Sequence, residues 1–264
     1  MEPGRYHVVV LQEILTHAQS RSIEADERAD EFRERAQSMG PARSLRSALL
    51  SDGLSVIAEI KRRSPSVGVI DGALDPVARA VAYVAGGASA ISVVTEPKYF
   101  DGSMADLRAV SEAVDVPVLR KDFTVAPSQI WEARAGGADA VLLIVAALSQ
   151  PDLEHLLGTA NDAGVEAIVE AHSALEVGRA IDCGASIVGI NNRDLGTFKT
   201  NLAVAESIGP LLEGVDVAIA ESGVSSAEGA GRMARARFDA ILVGEALVRA
   251  ADPAALVAEL RGAA

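Results

Sequence analysis

Two opposite charges stand close together in an otherwise apolar stretch of the sequence. Glu59 and Lys61 belong to AEIKRRSPS, which begins as the end of the apolar run SVIAEI. Side chains alternate between the two faces of a strand, so two residues at this spacing share one face. Buried charges are costly unless they are paired or used. The pair therefore predicts either a structural ion pair or a part of a reactive centre.

Polar side chains close several other apolar runs of the chain. Lysine can donate a proton and glutamate can accept one, and charges that converge shift each other's pKa. For any single position, a solvated residue or a structural ion pair is the alternative. Because the polar residues crowd at the ends of the runs, we predict one acid–base site built from them. They are Glu59, Lys61, Lys121, Asp122, Glu170, Asn191, Arg193, Glu221, Ser222 and Glu245.

Eight short apolar runs carry these residues. Most are continuously apolar and rich in valine and isoleucine, which is typical of parallel strands covered on both faces. Helix-like segments separate them; in DPVARAVAYVAGGA, Asp75 can cap a helix that Pro76 begins and a glycine ends. Eight such units predict an α/β fold, a (β/α)8 TIM barrel, with its active site at the C-terminal strand ends. The runs span 55–62, 88–95, 116–123, 138–145, 165–171, 186–193, 215–222 and 240–246.

A doubly wound open sheet is the alternative fold. It usually carries a glycine-rich turn after its first strand, whereas the first run here is followed by KRRSPSVG. Apolar residues at helical spacing also predict two amphipathic helices before the first strand. We therefore predict a helical extension over residues 1–50, packed on a barrel over residues 51–264 and either closing one of its mouths or lying beside it.

The composition excludes several classes of function. The 264 residues carry a formal net charge of −13, so an overall basic surface for nucleic acid is absent. The longest apolar run, 140–148, is too short to cross a bilayer, and the N-terminus lacks a leader pattern. We therefore expect a cytoplasmic protein without a membrane partner. The single cysteine, Cys183, permits no intramolecular disulfide.

Neither a metal site nor a histidine dyad is predicted. No cluster of histidine or cysteine has the spacing of metal ligands. His172 follows Glu170 by two residues and suggests a dyad, but we interpret it as a polar residue of the loop after the strand.

The last two runs carry a second signal. ESGVSS and LVGEALV each place a glycine, Gly223 and Gly244, at the turn from strand to helix. Backbone N–H groups at such turns can approach an anion, and many TIM barrels bind phosphate in these two loops. Either glycine alone would indicate only a turn, but both together predict a phosphate site. We therefore expect a small phosphorylated substrate.

These motifs resemble the indole-3-glycerol phosphate synthase family of tryptophan biosynthesis. The resemblance is carried by AEIKRRSPS, VVTEPKYFDGS, VLRKDF, LLIVAAL, VEAH, VGINNRDL, AESGV and ILVGEAL, in this order. It implies a TIM barrel with an N-terminal helical extension near the active-site mouth. It also implies conversion of 1-(2-carboxyphenylamino)-1-deoxyribulose 5-phosphate into indole-3-glycerol phosphate, with loss of carbon dioxide and water and without a cofactor.

The resemblance implies roles for individual residues. Lys121 matches the principal general acid, and Lys61 matches a lysine that contacts the acidic groups of the substrate. Glu170 matches a glutamate of the later steps, and Glu59 matches the partner of the lysines. The other assigned positions are Asn191 and Ser222 in the catalytic set, as residues that orient the substrate, and Ser64, Phe123, Arg193, Glu221, Gly223, Leu242, Gly244 and Glu245 in substrate binding.

Two alternatives to this activity are considered. Another phosphate-binding barrel, such as the phosphoribosylanthranilate isomerase class, would not need two lysines at strand ends with a facing glutamate. A binding or regulatory relative without turnover would tolerate the loss of a catalytic lysine, and Lys61 and Lys121 are both present. For the oligomeric state, a monomer is the starting hypothesis.

Overall fold

A computed structural model describes residues 3–194 and 197–263 of the chain. Eight strands form a closed parallel barrel, and two short strands form an antiparallel hairpin after the first barrel strand. The predicted (β/α)8 barrel is confirmed. The barrel strands are β1 (Ser55–Ile60), β4 (Ala90–Val94), β5 (Val118–Lys121), β6 (Ala140–Ile144), β7 (Glu166–Ala171), β8 (Ile187–Asn191), β9 (Val217–Glu221) and β10 (Ala240–Val243), and the hairpin consists of β2 (Arg63–Ser64) and β3 (Gly68–Val69).

Helices connect consecutive strands and surround the barrel. The helix predicted from Asp75 is present, and the Asp75 carboxylate accepts hydrogen bonds from the N–H groups of Val77 and Ala78. Within the described residues, no helix combines the length and the apolar character that a membrane span requires. The helices are α1 (Pro3–Glu27), α2 (Ala29–Ser38), α3 (Leu45–Leu49), α4 (Pro76–Ala85), α5 (Pro97–Phe100), α6 (Met104–Ala113), α7 (Pro127–Ala135), α8 (Gln150–Asp162), α9 (Ala174–Asp182), α10 (Ala203–Ile208), α11 (Ala227–Arg235), α12 (Glu245–Arg249) and α13 (Pro253–Arg261).

The continuously apolar strands follow from two separate apolar cores. Alternate strand residues such as Val56 and Val141 face a shell between the barrel and its helices. The others, including Ile57 and Leu142, fill the barrel interior. Because both faces of each strand are buried, neither face can be polar along the length of the strand. The charged side chains of the barrel strands are therefore confined to the strand ends.

The N-terminal helices occupy two positions on the barrel. Leu45 and Leu49 of α3 belong to the interior core, and the Arg46 N–H donates to Glu166 at the start of β7, so α3 covers the N-terminal mouth. Helix α2 packs against α7, and α1 contacts α7 as well. The short helix α3 thus closes the N-terminal mouth, while α1 and α2 lie beside the barrel. The boundary predicted at residue 50 falls between α3 and β1 and stays a prediction.

Candidate active site

A cavity of about 500 Å³ opens at the C-terminal ends of the barrel strands. The residues that line it come from several strands and loops that are distant in the sequence. All of the candidate site residues lie along its wall: Glu59, Lys61, Ser64, Lys121, Phe123, Glu170, Asn191, Arg193, Glu221, Ser222, Gly223, Leu242, Gly244 and Glu245.

Lys121 lies at the centre of a group of carboxylates in this cavity. Its Nζ atom is 3.1 Å from Oε2 of Glu170 and 3.5 Å from Oε2 of Glu221. The three residues stand at or next to the C-terminal ends of β5, β7 and β9, so alternate strands contribute one group each. The two carboxylates are almost wholly buried. One ammonium group therefore contacts two acidic side chains inside the barrel mouth.

The pKa values of this group are displaced in different directions. Burial alone would lower the pKa of Lys121, but the charges of Glu170, Glu221 and Glu59 raise it above its ordinary value. Burial raises the pKa of the Glu221 carboxyl, and the negative charge of Glu170 raises it further. Burial acts in the same direction on Glu170, yet the nearby charge of Lys121 brings the pKa of Glu170 below its ordinary value. These shifts favour an ammonium on Lys121, a carboxylate on Glu170 and a proton on Glu221.

Gly189 makes the approach of Glu221 possible. Gly189 lies on β8, paired with Glu170 of β7 on one side and with Ile219 of β9 on the other. A Cβ atom at this glycine would overlap the Oε1 atom of Glu221. The side chain of Glu221 thus crosses β8 at a point where the strand has no side chain. Gly189 was not predicted as a site residue, because Glu221, which it contacts in space, is distant in the sequence.

The Glu59–Lys61 pair inferred from strand β1 is present. The Lys61 ammonium donates to Oε1 of Glu59, and both side chains border the cavity. Gly244 of the neighbouring loop leaves the space that this pair occupies, since a Cβ there would overlap Oε1 of Glu59. Gly244 was predicted to contact phosphate, and the Glu59 side chain is a second constraint that requires glycine at this position.

The turn after β9 exposes backbone groups to the cavity. Ser222 and Gly223 adopt left-handed conformations with φ of 64° and 87°, which are unfavourable for residues other than glycine and asparagine. The amide Nδ2 of Asn192 donates to the carbonyl oxygens of Glu221 and Ser222, at 3.1 Å and 3.2 Å. This buried amide holds the turn in its conformation. Asn192 was not predicted as a site residue.

The loop after β8 orients Glu170. Asn191 donates through Nδ2 to Oε1 of Glu170 at 3.1 Å and accepts from the Arg193 N–H at 3.0 Å. The Arg193 guanidinium donates to the carbonyl oxygen of Phe198 in the same loop. Asn191 therefore orients the Glu170 carboxylate. Arg193 lines the cavity, and its guanidinium is hydrogen bonded within its own loop.

The remaining polar residues lie at the rim. The hydroxyls of Ser64 and Ser66 are hydrogen bonded to each other at 3.2 Å. Glu245 accepts a hydrogen bond from Arg249 at 3.0 Å, so its carboxylate is already paired. We infer that any anion at this rim would meet the backbone of Glu245 rather than its side chain.

One wall of the cavity is apolar. The rings of Phe100 and Phe123 lie with centroids 6.3 Å apart. Helix α1 also reaches this wall through Leu11 and Ile14, which the sequence analysis did not propose as site residues. Their helical spacing indicated a buried face but not what that face covers. Further apolar residues of the wall are Val94, Leu142, Ile144 and Leu242.

A buried ion-pair network joins the extension to the residue after Lys121. Arg21 of α1 donates two hydrogen bonds to the Asp122 carboxylate, at 3.0 Å and 2.7 Å. Thr95 donates to the same carboxylate at 2.6 Å. Burial opposes ionisation of Asp122, but the hydrogen bond from Arg21 and the charge of Arg120 bring its pKa to about 2. Asp122 is therefore a structural anion that holds α1 against the loop beyond Lys121.

His172 lies in the loop after β7, as interpreted from the sequence, and its ring stands beside two carboxylates there. Its side chain is only 12% exposed, and its Nε2 atom lies 3.4 Å from Oε1 of Glu170. Its Nδ1 atom lies 3.3 Å from Oε2 of Glu176 on α9. The return of α9 towards β7 brings these groups together, which the spacing of two residues alone could not establish.

Comparison with solved structures supports the fold. Thiamine phosphate pyrophosphorylase from Pyrococcus furiosus is similar with a TM-score of 0.60 and 19% identity, over 83% of this chain and 97% of that one. A 3-hexulose-6-phosphate synthase is similar with a TM-score of 0.60 and 19% identity, over 80% of this chain and 99% of that one. At this identity, the likeness extends to the fold alone.

Comparison of sequences is more specific. The family model of indole-3-glycerol phosphate synthase matches residues 11–260. The indole-3-glycerol phosphate synthase of Kineococcus radiotolerans is 51% identical over 88% of this chain and 86% of its own length. Indole-3-glycerol phosphate synthase 1 of Streptomyces coelicolor is 46% identical over 95% of this chain and 94% of its own length. This chain therefore belongs to the indole-3-glycerol phosphate synthase family.

Proposed function

We propose that this chain is an indole-3-glycerol phosphate synthase with Lys121 as its principal general acid. The substrate would be 1-(2-carboxyphenylamino)-1-deoxyribulose 5-phosphate, and the products indole-3-glycerol phosphate, carbon dioxide and water. The observation that carries the proposal is the position of Lys121, an ammonium between Glu170 and Glu221 at the mouth of the barrel. Family membership supports the same reaction.

The first step of this reaction needs an acid. The ring carbon that bears the carboxylate attacks the ketone carbon of the sugar chain, and the ketone oxygen gains negative charge. We assign its protonation to Lys121. An alkoxide is a stronger base than an amine, so the transfer is favourable even though the neighbouring carboxylates raise the pKa of Lys121. The same ammonium stabilises the charge as it develops.

The later steps need an acid and a base. Loss of carbon dioxide returns the bonding electrons to the ring, which regains its aromaticity. The new hydroxyl then leaves as water, while the CH2 carbon next to the nitrogen loses a proton, so that the C=C bond of the indole ring forms. We assign the base to Glu170, whose pKa is lowered and whose carboxylate Asn191 orients. Lys61, which is paired with Glu59 at the end of β1, is the candidate to protonate the departing hydroxyl.

The substrate phosphate is assigned to the polar rim of the cavity. Lys61 and Ser64 border this side of the cavity, as do Gly223, Gly244 and Glu245. Gly223 lines the cavity in a left-handed conformation, and backbone N–H groups are suitable donors to phosphate oxygens. Because Arg249 already pairs with the Glu245 carboxylate, repulsion between that side chain and the anion is reduced.

The aromatic ring of the substrate is assigned to the apolar wall. Phe123 follows Lys121 by two residues, and its ring faces Phe100 across the wall. Leu242 and Ile14 complete an apolar surface around this place. A ring bound there, with the phosphate at the polar rim, would place the sugar ketone between them and close to Lys121.

Replacing the proposed general acid tests this function. The Lys121→Met variant keeps the aliphatic stem but removes the ammonium, and we expect kcat/KM to fall by about a thousandfold. Product formation is followed by indole fluorescence after the carboxyphenylamino-deoxyribulose phosphate is added. The Lys98→Met variant is the matched control, because Lys98 is exposed and outside the cavity. Unchanged turnover by Lys121→Met would place the general acid elsewhere, and a folded wild-type protein without product would overturn the function.

A further inference from the structure

The imidazole of His172 lies between two carboxylates. Its Nε2 atom is 3.4 Å from Oε1 of Glu170, and its Nδ1 atom is 3.3 Å from Oε2 of Glu176. His172 does not border the cavity; it stands behind Glu170, away from the space that a substrate would occupy. The ring is therefore placed to act on Glu170 rather than on the substrate.

The two carboxylates beside the ring favour a positive charge on it. A neutral imidazole has one N–H group and one lone pair, so one of its nitrogens would turn a lone pair towards a carboxylate. An imidazolium can donate from both nitrogens. Burial lowers the pKa of His172, and the positive charge of Lys121 lowers it as well. The hydrogen bond to Glu176 and the charges of Glu170 and Glu176 raise it by more, so the pKa lies above its ordinary value. The arrangement thus favours the charged ring.

Glu176 is held in place by the start of helix α9. Ser173 caps this helix, and its hydroxyl accepts from the Glu176 N–H at 3.3 Å. The Glu176 carboxylate in turn accepts a hydrogen bond from the His172 N–H at 2.8 Å, one residue before the N-cap. The partner of the imidazole is therefore part of the helix start and has a defined position.

Glu170 has two hydrogen-bond donors and one further ion-pair contact in this arrangement. Lys121 faces its Oε2 atom, while Asn191 and His172 face its Oε1 atom. Glu221, whose raised pKa favours the neutral carboxyl, stands beside Lys121. The negative charges next to the ring are therefore those of Glu170 and Glu176, and Lys121 contacts only the first of them. A positive charge on His172, between the two carboxylates, balances the second.

We propose that His172, as an imidazolium anchored by Glu176, is a positioning residue for Glu170. It keeps the Glu170 carboxylate ionised and aimed into the cavity, so that this group can accept a proton. The proposal rests on the base role assigned to Glu170 under the proposed function. It assigns no bond making or breaking to His172 itself.

The pH dependence of turnover tests this role. Removing the imidazolium with His172→Gln raises the pKa of Glu170, so the acid limb of the kcat profile moves to higher pH. We expect kcat to fall by about tenfold or more, within the range of general acid–base effects, with KM changed less than kcat. His155→Gln is the matched control, because His155 is exposed on α8. A profile of His172→Gln with the wild-type acid limb would overturn the proposal.

A titration of the ring tests the charge without any turnover. In NMR spectra of the wild-type protein, the His172 resonance is identified by its loss in His172→Gln, or in His172→Asn should the first variant not fold. We expect it to titrate above the ordinary histidine pKa of about 6.5, and at lower pH in Glu176→Gln. Titration at or below the ordinary value would refute the proposal. If the pKa of His172 were raised but the wild-type protein formed no product, the proposed function would be contradicted. The positive charge on the ring would still be established.

Discussion

Glu221 crosses strand β8 over Gly189, which has no side chain to block it. A Cβ atom at Gly189 would overlap Oε1 of Glu221. The carboxylate needs this space to bring its Oε2 atom to 3.5 Å from Lys121. A glycine in one strand thus allows acidic groups from two other strands to share a single ammonium.

Adding one methyl group at Gly189 is expected to disturb the site more than the fold. In Gly189→Ala, the Glu221 side chain must turn away, and Ile168 stands in contact range as well. We expect kcat/KM to fall by about a hundredfold, because the displaced Glu221 would shift the proposed general acid beside it, Lys121. The measurement is steady-state turnover together with thermal unfolding.

Gly158→Ala is the control for this substitution. Gly158 lies exposed in helix α8, and a Cβ there meets no atom within 4 Å. The same methyl group should leave turnover unchanged and stabilise the helix by about 0.5–1 kcal/mol. Full activity in Gly189→Ala would show that the position of Glu221 does not matter to the reaction.

The two acidic partners of Lys121 should differ in their response to neutralisation. Glu170→Gln removes the proposed base, and we expect kcat/KM to fall by about 10²–10⁴. Glu221→Gln replaces a group whose raised pKa keeps it protonated near neutral pH, so its loss of activity should be much smaller. Equal losses would contradict the assignment of the proton to Glu221. Glu228→Gln, at an exposed glutamate of α11, is the matched control.

Stability should also report the raised pKa of Glu221. A carboxyl whose pKa is raised in the folded state loses its stabilising contribution as the pH rises from its unfolded value of 4.5 towards the folded value of about 8. Glu221→Gln lacks this group, so the variant should gain stability relative to the wild type over this interval. Denaturant unfolding at pH 5 and pH 8, followed by the fluorescence of the single tryptophan, Trp131, measures the difference. A constant difference would show an unshifted Glu221.

Asp122 should show the opposite dependence on pH. Its pKa is about 2 in the folded state and 3.8 when unperturbed, so its contribution is complete above the unfolded value and is lost as the pH falls towards 2. Asp122→Asn leaves Arg21 and Arg120 without their carboxylate, at a cost of about 3–5 kcal/mol at pH 7. By proton linkage, this cost should shrink by about 1 kcal/mol at pH 3. Urea unfolding measures it, and Asp162→Asn at an exposed position is the control.

The link between α1 and the barrel should affect catalysis as well as stability. Arg21→Met removes the two hydrogen bonds that hold Asp122, the residue after Lys121. A small displacement of a catalytic group can reduce turnover by about tenfold to a hundredfold, and we expect a loss of this size in kcat. Arg35→Met makes the same change at an exposed arginine of α2. If both variants retained wild-type kcat, α1 would have no part in positioning Lys121.

The continuous apolar runs were enough to predict the barrel. Strands such as β4 and β6 are buried on both faces, and this pattern occurs where helices cover a parallel sheet. Parallel strands in a closed barrel all end at the same mouth. Polar residues at their ends must then converge, which is why Lys61, Lys121 and Glu170 could be grouped without coordinates.

Other relationships arise only when the barrel closes. Arg21 and Asp122 are 101 residues apart, and no local pattern in either segment indicates the other. The same holds for Gly189 beneath Glu221, and for Leu11 and Ile14 at the cavity wall. Helix α3 at the opposite mouth was also unforeseen, because its five residues are too few for a helical period to be recognised.

The sequence by itself therefore determined the fold class, the end of the barrel that holds the site and the residue types that meet there. These properties depend on local periodicity and on strand direction, which the order of residues contains. Only the tertiary structure decided which acid carries the proton, where His172 lies and how α1 reaches Asp122. Those properties depend on distances between side chains of non-adjacent elements, and packing sets such distances only after the elements have assembled.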